Sequence, residues 1–442
     1  MLFRSRPRGG MKSKSLAALL RLSRRDLTSR SPCNTYEPSD DISLAKTINK
    51  AFLSPMQCFS PLPADFVLLP SNSATQQPVL VVSNESVYKK LTKLNRSKAH
   101  GPDGIPGWVL KENADLLAAP IADILNLSYR EGRLPHSWKE ADVVPVPKQR
   151  PVQDINKHLR PISLTPILSK IAEEYVVDTY VKPAVLSKID PQQFGTVPKS
   201  SATHALISMI HSWAKSTDGN GSTTRVVLFD FRKAFDLIDH HVLARKLSSY
   251  DIPRPILCWI MDFLTNRKQR IKLSRDCFSE WEAVPAGVPQ GTKLGPWLFL
   301  IMINNLSVAD TTIWKYVDDT TLAESVLKNE SSYMQLRVNE LVRQSEVDGF
   351  QFNESKCKEL RISFSRSGSL FDHITINDKQ IEVVSSARLL GVIVSDNLRW
   401  NAHVESICKK AAKRLYYLKQ LKRAKFHLRI CYFSIQHVYA LY

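Results

Sequence analysis

Cysteine is scarce in this sequence, and its spacing excludes the usual cysteine-based architectures. Seven cysteines are scattered over 442 residues, and no two stand in a Cys-x-x-Cys pair. The odd number and the irregular spacing argue against a disulfide framework and against a zinc knuckle. We therefore expect an intracellular protein of a reducing compartment, nuclear or cytoplasmic, with neither zinc nor disulfides.

Long apolar runs and an excess of acid are also missing. No run approaches the roughly 20 apolar residues that a membrane-spanning helix needs, so we expect a soluble protein with no membrane partner. Lysine and arginine number 61 against 42 for aspartate and glutamate, which gives a formal charge of +19. A basic chain of this kind suits a polyanionic partner, and nucleic acid is the natural candidate. No pattern indicates an oligomeric state.

Two largely apolar runs of the sequence end in aspartate. Residues 225–229 precede Asp230, and residues 314–317 precede Asp318 and Asp319. An acid in an apolar run costs several kcal/mol to desolvate unless something compensates its charge, and a divalent cation commonly does so. These segments therefore predict a metal site built from carboxylates.

The second run has the pattern of a tight hairpin. Val317 and residues 320–322 are predicted as strand, with both aspartates at the turn and the tip beside the end of the first strand. Asp230 and Asp318 would then bridge two Mg²⁺ ions about 4 Å apart, an arrangement that serves nucleotidyl transfer. Taken alone, Tyr-Val-Asp-Asp is equally compatible with an ordinary turn, because aspartate is a favoured turn residue.

A loop rich in glycine and proline, residues 286–296, lies between the two runs. Its glycines allow the backbone to approach a planar ligand, and Gln290 offers both a donor and an acceptor. The loop lacks the lysine-serine ending of a phosphate-binding P-loop, so it suits a base pair or a template strand better. The alternative is a plain turn before the apolar helix predicted over residues 297–305.

Hydrophobic periodicity predicts further elements around these motifs. The predicted helices cover residues 113–131 and 166–186 and a stretch with Met334, Val338, Leu341 and Val342 on one face. The predicted strands cover residues 359–364, residues 374–384 with a turn at Asn377 and Asp378, and residues 388–394.

The aspartate segments and the loop resemble motifs A, B and C of reverse transcriptases, in their usual order. The sequences of these motifs are most similar to those of non-LTR (LINE-like) retrotransposons, and flanking segments resemble further motifs of that group. The resemblance covers roughly residues 87–425. Its segments are residues 229–236 (motif A), 287–291 (motif B), 316–319 (motif C), 352–357 (motif D), 98–106, 159–164, and 389–392 with Trp400.

The resemblance implies an α+β fold of the right-hand polymerase type, with fingers, a palm built on an antiparallel sheet, and a truncated helical thumb. Polymerase thumbs normally contain several helices, whereas this sequence predicts one. Many such elements also carry an N-terminal endonuclease, and this sequence shows none. We therefore expect a fragment or a copy from a decayed element. The basic N-terminus is open to three interpretations: a targeting peptide, a nucleic-acid-binding arm or a translated junction. The implied domains are a disordered N-terminus (1–34), a linker (35–86), fingers (87–224), a palm (225–395) and a partial thumb (396–442), with the reverse transcriptase domain as a whole over about 128–395.

The resemblance also implies a catalytic centre made of Asp230, Asp318 and Asp319. Asp230 and Asp318 would hold two Mg²⁺ ions, for which Mn²⁺ can substitute. The backbone carbonyl of Phe231 would complete the metal site. Asp319 would be a weaker ligand or a structural partner.

A dNTP site is implied beside the metals. Arg160 would grip the triphosphate as a bidentate fork and Lys148 as a point charge, although a solvated surface lysine is an equally good interpretation of Lys148. The ring of Phe235 would lie under the sugar and crowd a 2′-hydroxyl. The implied dNTP-binding residues are Lys148, Arg160, Phe231, Phe235, Gln290, Gly291 and Lys356. Of these, Gln290 and Gly291 would contact the template and the nascent pair, and Lys356 would protonate the leaving pyrophosphate as a general acid.

Other polar residues are given a simpler interpretation. Asp236, Asp239, His240 and His241 follow motif A and invite a zinc or acid-base hypothesis, but helical spacing predicts a solvated face or a helix cap. From Trp400 onward an amphipathic pattern predicts a thumb helix whose basic face contacts the phosphates of primer and template, and a generic basic surface is the alternative. The basic residues of that face include Lys409, Lys410, Lys413 and Arg414.

The resemblance implies an RNA-directed DNA polymerase that copies an RNA template from a DNA or RNA primer with dNTPs and Mg²⁺. One alternative is a catalytically silent remnant that binds nucleic acid. Another is a maturase-like reverse transcriptase, which would call for an RNA-binding extension.

Overall fold

The computed structural model describes residues 38–63, 66, 80–219, 221–365 and 371–424. They form a mixed α+β fold with several sheets, which confirms the predicted class. The predicted basic N-terminus, residues 1–34, lies outside the described residues. The chain divides into two compact units, each assembled from separate stretches of sequence. The first unit is Met1–Thr196, Phe231–Leu306 and Arg343–Gln351, and the second is Val197–Asp230, Ser307–Val342 and Phe352–Tyr442.

The helices and strands are numbered in chain order. The described α-helices are α1 (Pro38–Leu53), α2 (Asn84–Thr92), α3 (Gly107–Glu112), α4 (Ala114–Glu131), α5 (Ile155–His158), α6 (Ile167–Val176), α7 (Lys182–Leu186), α8 (Ala202–Thr217), α9 (His240–Leu247), α10 (Arg254–Leu264), α11 (Gly295–Ile303), α12 (Met334–Val347) and α13 (Asn401–Arg423). The described strands are β1 (Glu140–Pro147), β2 (Leu159–Leu164), β3 (Thr223–Phe229), β4 (Arg267–Ile271), β5 (Glu282–Val284), β6 (Thr312–Tyr316), β7 (Asp319–Val326), β8 (Lys358–Ser363), β9 (Thr375–Ile376), β10 (Lys379–Gln380), β11 (Glu382–Val384), β12 (Ser386–Leu389) and β13 (Val392–Ser395).

The first unit is built on a four-stranded sheet with the strand order β2–β1–β4–β5. Strand β1 pairs antiparallel with β2 and parallel with β4. Helix α1 packs on this sheet through Ala45, Ile48 and Phe52, which share an apolar core with Ile271. The linker predicted over residues 35–86 therefore contains a helix with one buried face. Its apolar residues recur at three and four positions, but the surrounding serine- and proline-rich sequence hid that spacing.

Helix α11 lies inside the first unit. Its side chains from Leu298 to Ile303 have no exposed surface, as expected for a helix that is apolar on all sides. The apolar helix predicted over residues 297–305 is confirmed, with its bounds at Gly295 and Ile303. The helix predicted over 113–131 is confirmed as α4. The helix predicted over 166–186 is confirmed as α6 and α7, joined by a π-helical turn.

The second unit is built on a five-stranded sheet with the strand order β11–β8–β3–β7–β6. The central strand β3 pairs antiparallel with β7 and β8. Helix α8 packs on the sheet through Trp213, whose ring centroid lies 6.2 Å from that of Trp314 in an edge-to-face arrangement. The register places Phe229, the last residue of β3, opposite Thr320.

Neighbouring strands of the same sheet contain buried charged side chains. Arg225 and Glu359 lie on neighbouring strands with 3% and 0% of their surface exposed. Arg225 Nε donates to Glu359 Oε1 at 2.7 Å, and Arg361 donates to both oxygens of that carboxylate at 3.0 Å. A carboxylate taken fully out of water is thus balanced by two guanidinium groups.

Two hairpins follow in the second unit. Strands β9 and β10 are joined at Asn377 and Asp378, with φ of +49° and +59°, which confirms the predicted turn. The single strand predicted over residues 388–394 is wrong, because the chain reverses between β12 and β13 at Leu390 and Gly391, with φ of +46° and +90°. Glycine adopts this left-handed conformation readily, so the Leu-Gly pair is a turn signal inside an otherwise strand-like sequence.

Helix α13 begins at Asn401, where the amphipathic pattern predicted a helix. None of its residues is buried in the described part of the chain, and Val404, Ile407 and Leu415 of the predicted apolar face are 53%, 50% and 56% exposed. Among the described residues, no helix combines the length and the apolar character needed to cross a membrane.

Candidate active site

The three predicted catalytic carboxylates lie at one end of the central sheet of the second unit. Asp230 follows the last residue of β3. The hairpin of β6 and β7 pairs Tyr316 with Asp319, so Val317 and Asp318 form a two-residue connection. Asp319 is therefore the first residue of β7, next to Thr320, which pairs with the end of β3. The predicted hairpin is confirmed, but Val317 belongs to the turn and Asp319 to the strand.

The electrostatics of Asp319 show that the carboxylates are close together. Its pKa is raised to about 6, first by burial and then by the negative charges of Asp318 and Asp230. The side chain of Asp319 is nevertheless exposed, so the surrounding chain removes only some of its hydration. Like charges held this close disfavour one another's ionised forms, and a bound cation relieves that repulsion.

The backbone of the hairpin turn is strained. Val317 has a φ of +59°, a left-handed conformation that is rare for a β-branched side chain. Such conformations cost on the order of 1–3 kcal/mol and persist where the surrounding structure imposes them. The paired strands β6 and β7 impose this one, and Asp318 follows directly after it.

The surroundings of Asp230 combine one cation with an unsatisfied oxygen. Its Oδ2 is buried and accepts no hydrogen bond from the described residues, although Lys356 Nζ lies 3.3 Å away. The backbone carbonyl of Asp230 accepts from Asn353 N at 2.7 Å, which fixes the turn that carries Lys356. Cys357 Sγ accepts from Asp230 N at 3.5 Å, and burial is the largest cause that raises the pKa of this thiol to about 11. The thiol is therefore neutral near pH 7.

A divalent cation fits this donor set. Carboxylate oxygens are the ligands that Mg²⁺ and Mn²⁺ prefer, and the buried Oδ2 of Asp230 has an unused lone pair. Within the described stretches, no group of three or more His, Cys, Asp or Glu side chains has the spacing of a ready-made metal site. The assignment of Asp230, Phe231 and Asp318 as metal ligands stays a prediction. The ring of Phe231 is buried against that of Phe350, with a centroid distance of 5.2 Å.

The predicted motif B loop lies in the first unit and is held by backbone hydrogen bonds on two sides. On one side Gly287 N donates to Ile238 O at 2.9 Å and Val288 N donates to Phe235 O at 2.8 Å. On the other side Ser163 N, on β2, donates to Gln290 O at 2.8 Å. The loop is thus fixed between the turn after β3 and the edge of the four-stranded sheet.

The two glycines of this loop are required by packing against protein. A Cβ on Gly287 would lie 2.5 Å from Asp236 O, and one on Gly291 would lie 2.8 Å from Ser163 O. Both residues also have a positive φ, +82° and +108°. Close packing against the protein's own backbone is therefore sufficient to explain glycine here, whereas the sequence had pointed to the approach of a planar ligand.

Asp236 and His240 differ from the prediction. Both are buried, so the solvated face predicted for them is wrong. His240 Nε2 lies 2.7 Å from Gly287 O, and Gln290 Nε2 donates to Asp236 Oδ1 at 3.1 Å. Helical spacing was misleading because α9 begins only at His240, which leaves Asp236 in the preceding turn. The cap is confirmed for Asp239, whose carboxylate accepts from His241 N at 2.7 Å.

The remaining predicted dNTP residues lie on the first unit. Lys148 and Arg160 are exposed on the hairpin of β1 and β2, where Val146 pairs with Arg160. Lys148 is close enough to Asp236 to lower the pKa of that carboxyl, although burial outweighs it. Phe235 is half-buried, and its ring stacks on that of Phe299 at a centroid distance of 4.6 Å. Their binding roles stay predictions.

The basic residues predicted to contact nucleic acid lie along α13. Lys409 and Lys413 are exposed, and Lys410 and Arg414 are half-buried. Lys409 forms an ion pair with Glu405, one helical turn earlier, at 2.6 Å. Their role in binding nucleic acid also stays a prediction.

Comparison with known protein families identifies the chain. A family model described as reverse transcriptase (RNA-dependent DNA polymerase) matches residues 146–394, more than half of the chain. The chain belongs to the reverse transcriptase family. Members of this family generally use divalent metal ions. A second, short match covers residues 400–432 and is to the N-terminal region of alkylated DNA repair protein alkB homolog 8.

The curated relatives of the chain include reverse transcriptases of mobile elements. The RNA-directed DNA polymerase from mobile element jockey of Drosophila melanogaster is 25% identical over 344 residues, 75% of this chain and 37% of that protein. The probable RNA-directed DNA polymerase from transposon X-element, from the same organism, is 23% identical over 350 residues, 76% of this chain and 38% of that protein. The predicted resemblance to non-LTR retrotransposon reverse transcriptases is confirmed. The chain spans less than two fifths of the length of these relatives.

Proposed function

We propose that the chain is the polymerase part of a non-LTR retrotransposon protein and catalyses RNA-directed DNA synthesis. It would add deoxynucleotides from dNTPs to the 3′-hydroxyl of a DNA or RNA primer on an RNA template. The observation that carries this proposal is that Asp230, Asp318 and Asp319 lie together at one end of β3, where burial and then the charges of Asp318 and Asp230 raise the pKa of Asp319. A polymerase needs carboxylates at one point to place cations on a reacting phosphate.

Asp230 and Asp318, with the backbone carbonyl of Phe231, would hold two Mg²⁺ ions, and Mn²⁺ could replace them. When bound, such ions activate the attacking hydroxyl and neutralise the charge that develops on the phosphate and the leaving pyrophosphate. Asp319 adds negative charge beside these ligands and would bind a metal more weakly.

Lys356 would act on the leaving group. Its Nζ lies 3.3 Å from Asp230 Oδ2 and its side chain is 62% exposed, so the ammonium group is held at the carboxylates while it remains accessible to a ligand. An ammonium group in that position can donate a proton to pyrophosphate as it departs, the role of a general acid.

The nucleotide would be bound by residues of the first unit. Lys148 and Arg160 project from an exposed hairpin as two cations suited to a triphosphate. Phe235 would crowd a ribose 2′-hydroxyl, and its stacking on Phe299 would keep the ring in place. Gln290 and Gly291, in a loop anchored by backbone hydrogen bonds, would contact the template and the nascent pair.

The right-hand polymerase description remains part of the proposal. In it, the five-stranded sheet of the second unit is the palm sheet, the segment that contains β1 and β2 belongs to the fingers, and α13 belongs to the thumb. The basic side chains Lys409, Lys410, Lys413 and Arg414 would bind phosphates of primer and template, as the formal charge of +19 favours.

Primer extension tests the proposal. The purified chain is given poly(rA)–oligo(dT), dTTP and Mg²⁺, and dTTP incorporation is measured for wild type, Asp318→Asn and Asp310→Asn. Asp310 is a matched control because it is exposed, precedes the other end of β6 and has a φ of +52°, which asparagine tolerates. We expect incorporation by wild type and Asp310→Asn only. Template binding without incorporation by the wild type would contradict the proposal.

A further inference from the structure

Asp236 is a buried acid that the proposed chemistry leaves without a role. It is 8% exposed and lies in the turn between β3 and α9. Its backbone carbonyl packs against Gly287, and its carboxylate accepts a hydrogen bond from the Gln290 side chain. Burying a carboxylate is unfavourable, so a single polar contact at this position calls for an explanation.

The hydrogen bond determines which end of the Gln290 amide is free. An ionised carboxylate has acceptors and no donor, so only the amide NH₂ group can point towards it. Gln290 Nε2 does so at 3.1 Å, and Gln290 Oε1 accepts no hydrogen bond from the described residues. Gln290 therefore has a carbonyl oxygen available for an external donor.

The other donor beside this amide is Arg267, whose buried Nη2 has no hydrogen-bond partner among the described residues. Ser163 holds the Gln290 backbone, which leaves only side-chain rotations open. A cavity of about 30 Å³ is lined by Asp236, Gln290 and Arg267, and it has room for about two water molecules. Asp236 is the residue whose side chain forms a hydrogen bond with this amide.

We propose that Asp236 is a positioning residue that orients the Gln290 side chain, so that Gln290 presents its carbonyl oxygen to a hydrogen-bond donor of the bound nucleotide or of its template partner. This inference rests on the proposed polymerase function. It assigns Gln290 the part of an acceptor, where the sequence alone left donor and acceptor open.

The charges around Asp236 make the arrangement sensitive to pH. Burial raises the pKa of Asp236 to about 6, while Lys233, the hydrogen bond from Gln290 and Lys148 oppose that rise. Arg267 and Lys268 line the same cavity. Below about pH 6 the protonated carboxyl can donate to Gln290 Oε1, and the amide is then free to turn over.

Steady-state primer extension with Asp236→Asn tests the positioning role. Asparagine presents a donor and an acceptor, so it no longer selects one amide orientation. We expect the KM for dTTP to rise roughly three- to tenfold with kcat changed less, because ground-state and transition-state binding weaken together. Asp239→Asn is the matched control: it removes a charge from the same segment, and asparagine is an equally good helix cap. It should leave both constants unchanged.

A double-mutant cycle shows whether Asp236 acts through Gln290. In the Gln290→Ala background, Asp236→Asn should change the KM by less than about twofold, because the amide that it orients is gone. Equal effects of Asp236→Asn in both backgrounds would overturn the positioning role and leave the polymerase function standing. A full effect on kcat with no effect on KM would overturn it as well.

The contact itself is tested without any synthesis. Asp236 binds its proton more tightly in the folded chain than in the unfolded chain, so its contribution to stability is fully present below about pH 4 and is lost as pH rises through about 6. Asp236→Asn should abolish this loss in urea unfolding. Gln290→Ala should move it to higher pH, because it removes a hydrogen bond that lowers the pKa of Asp236. If Gln290→Ala leaves the pH at which this stability is lost unchanged, the contact between Asp236 and Gln290 is refuted. If the wild type fails to extend primers, the proposed function falls, and this measurement still decides whether Asp236 holds Gln290.

Discussion

The motif B loop of the first unit and the carboxylate end of the second unit's sheet differ in the interactions that hold them. The loop is held by neutral backbone hydrogen bonds and by glycines packed against other backbone atoms. The carboxylate end holds like charges together on a strained turn, with a buried Asp230 oxygen that accepts no hydrogen bond from the described residues. The loop is therefore held by the protein's own backbone, whereas the like charges at the carboxylate end repel one another and a bound cation would relieve that repulsion.

Asp230→Asn tests the carboxylate end and has the largest expected effect, a fall in turnover. It removes one charge while keeping the shape of the side chain, so we expect turnover to fall on the order of a thousandfold or more with little loss of template affinity. Phosphate contacts serve binding, and metal charge serves the transition state. Primer extension and equilibrium binding to labelled template measure the two quantities. Equal losses of binding and rate would show that Asp230 organises the fold instead of the chemistry.

The sheet of the second unit also contains a buried carboxylate, that of Glu359, whose charge is balanced by arginines. Glu359 is 0% exposed and accepts hydrogen bonds from Arg225 and from Arg361. Glu359→Gln would leave two guanidinium groups without their counter-charge, and we expect the free energy of unfolding to fall by about 3–5 kcal/mol.

Glu382→Gln is the matched control for this change. Glu382 lies on the neighbouring strand β11 and pairs with Lys358 at 3.4 Å, but its side chain is 68% exposed. Exposed pairs contribute about 0–1 kcal/mol, so urea unfolding of this variant should resemble that of the wild type. Similar losses for the two variants would mean that burial does not set the value of the Glu359 pair.

The sequence predicted the carboxylate end better than the loop, for a physical reason. Alternating strands and a tight turn are local patterns, so Asp318, Asp319 and the pairing beside β3 could be derived from residues close in sequence. The contact of Asp236 with Gln290 joins residues 54 positions apart, and no periodicity marks it. Helix α1 was missed because its apolar residues lie within serine- and proline-rich sequence, and only the fold shows the four-stranded sheet against which they pack.

The glycines illustrate the same limit. From the sequence, Gly287 and Gly291 indicated a loop that a ligand could approach, and only the fold shows that Asp236 and Ser163 occupy the space beside them. The glycine pattern correctly predicted an unusual backbone conformation. It could not reveal which atoms make that conformation necessary.

Gly287→Ala tests the motif B loop and has the smallest expected effect, a loss of unfolding free energy. The new Cβ would lie 2.5 Å from Asp236 O in a residue with a φ of +82°, so we expect a loss of about 2–4 kcal/mol in unfolding free energy from strain and displacement. Gly104→Ala is the matched control: its φ is +68° but no atom lies within 4 Å, so only the conformational cost of about 1–2 kcal/mol applies. Urea unfolding compares the two variants. Equal losses would show that the loop yields to the extra methyl group, and close packing against backbone would then not be what holds it.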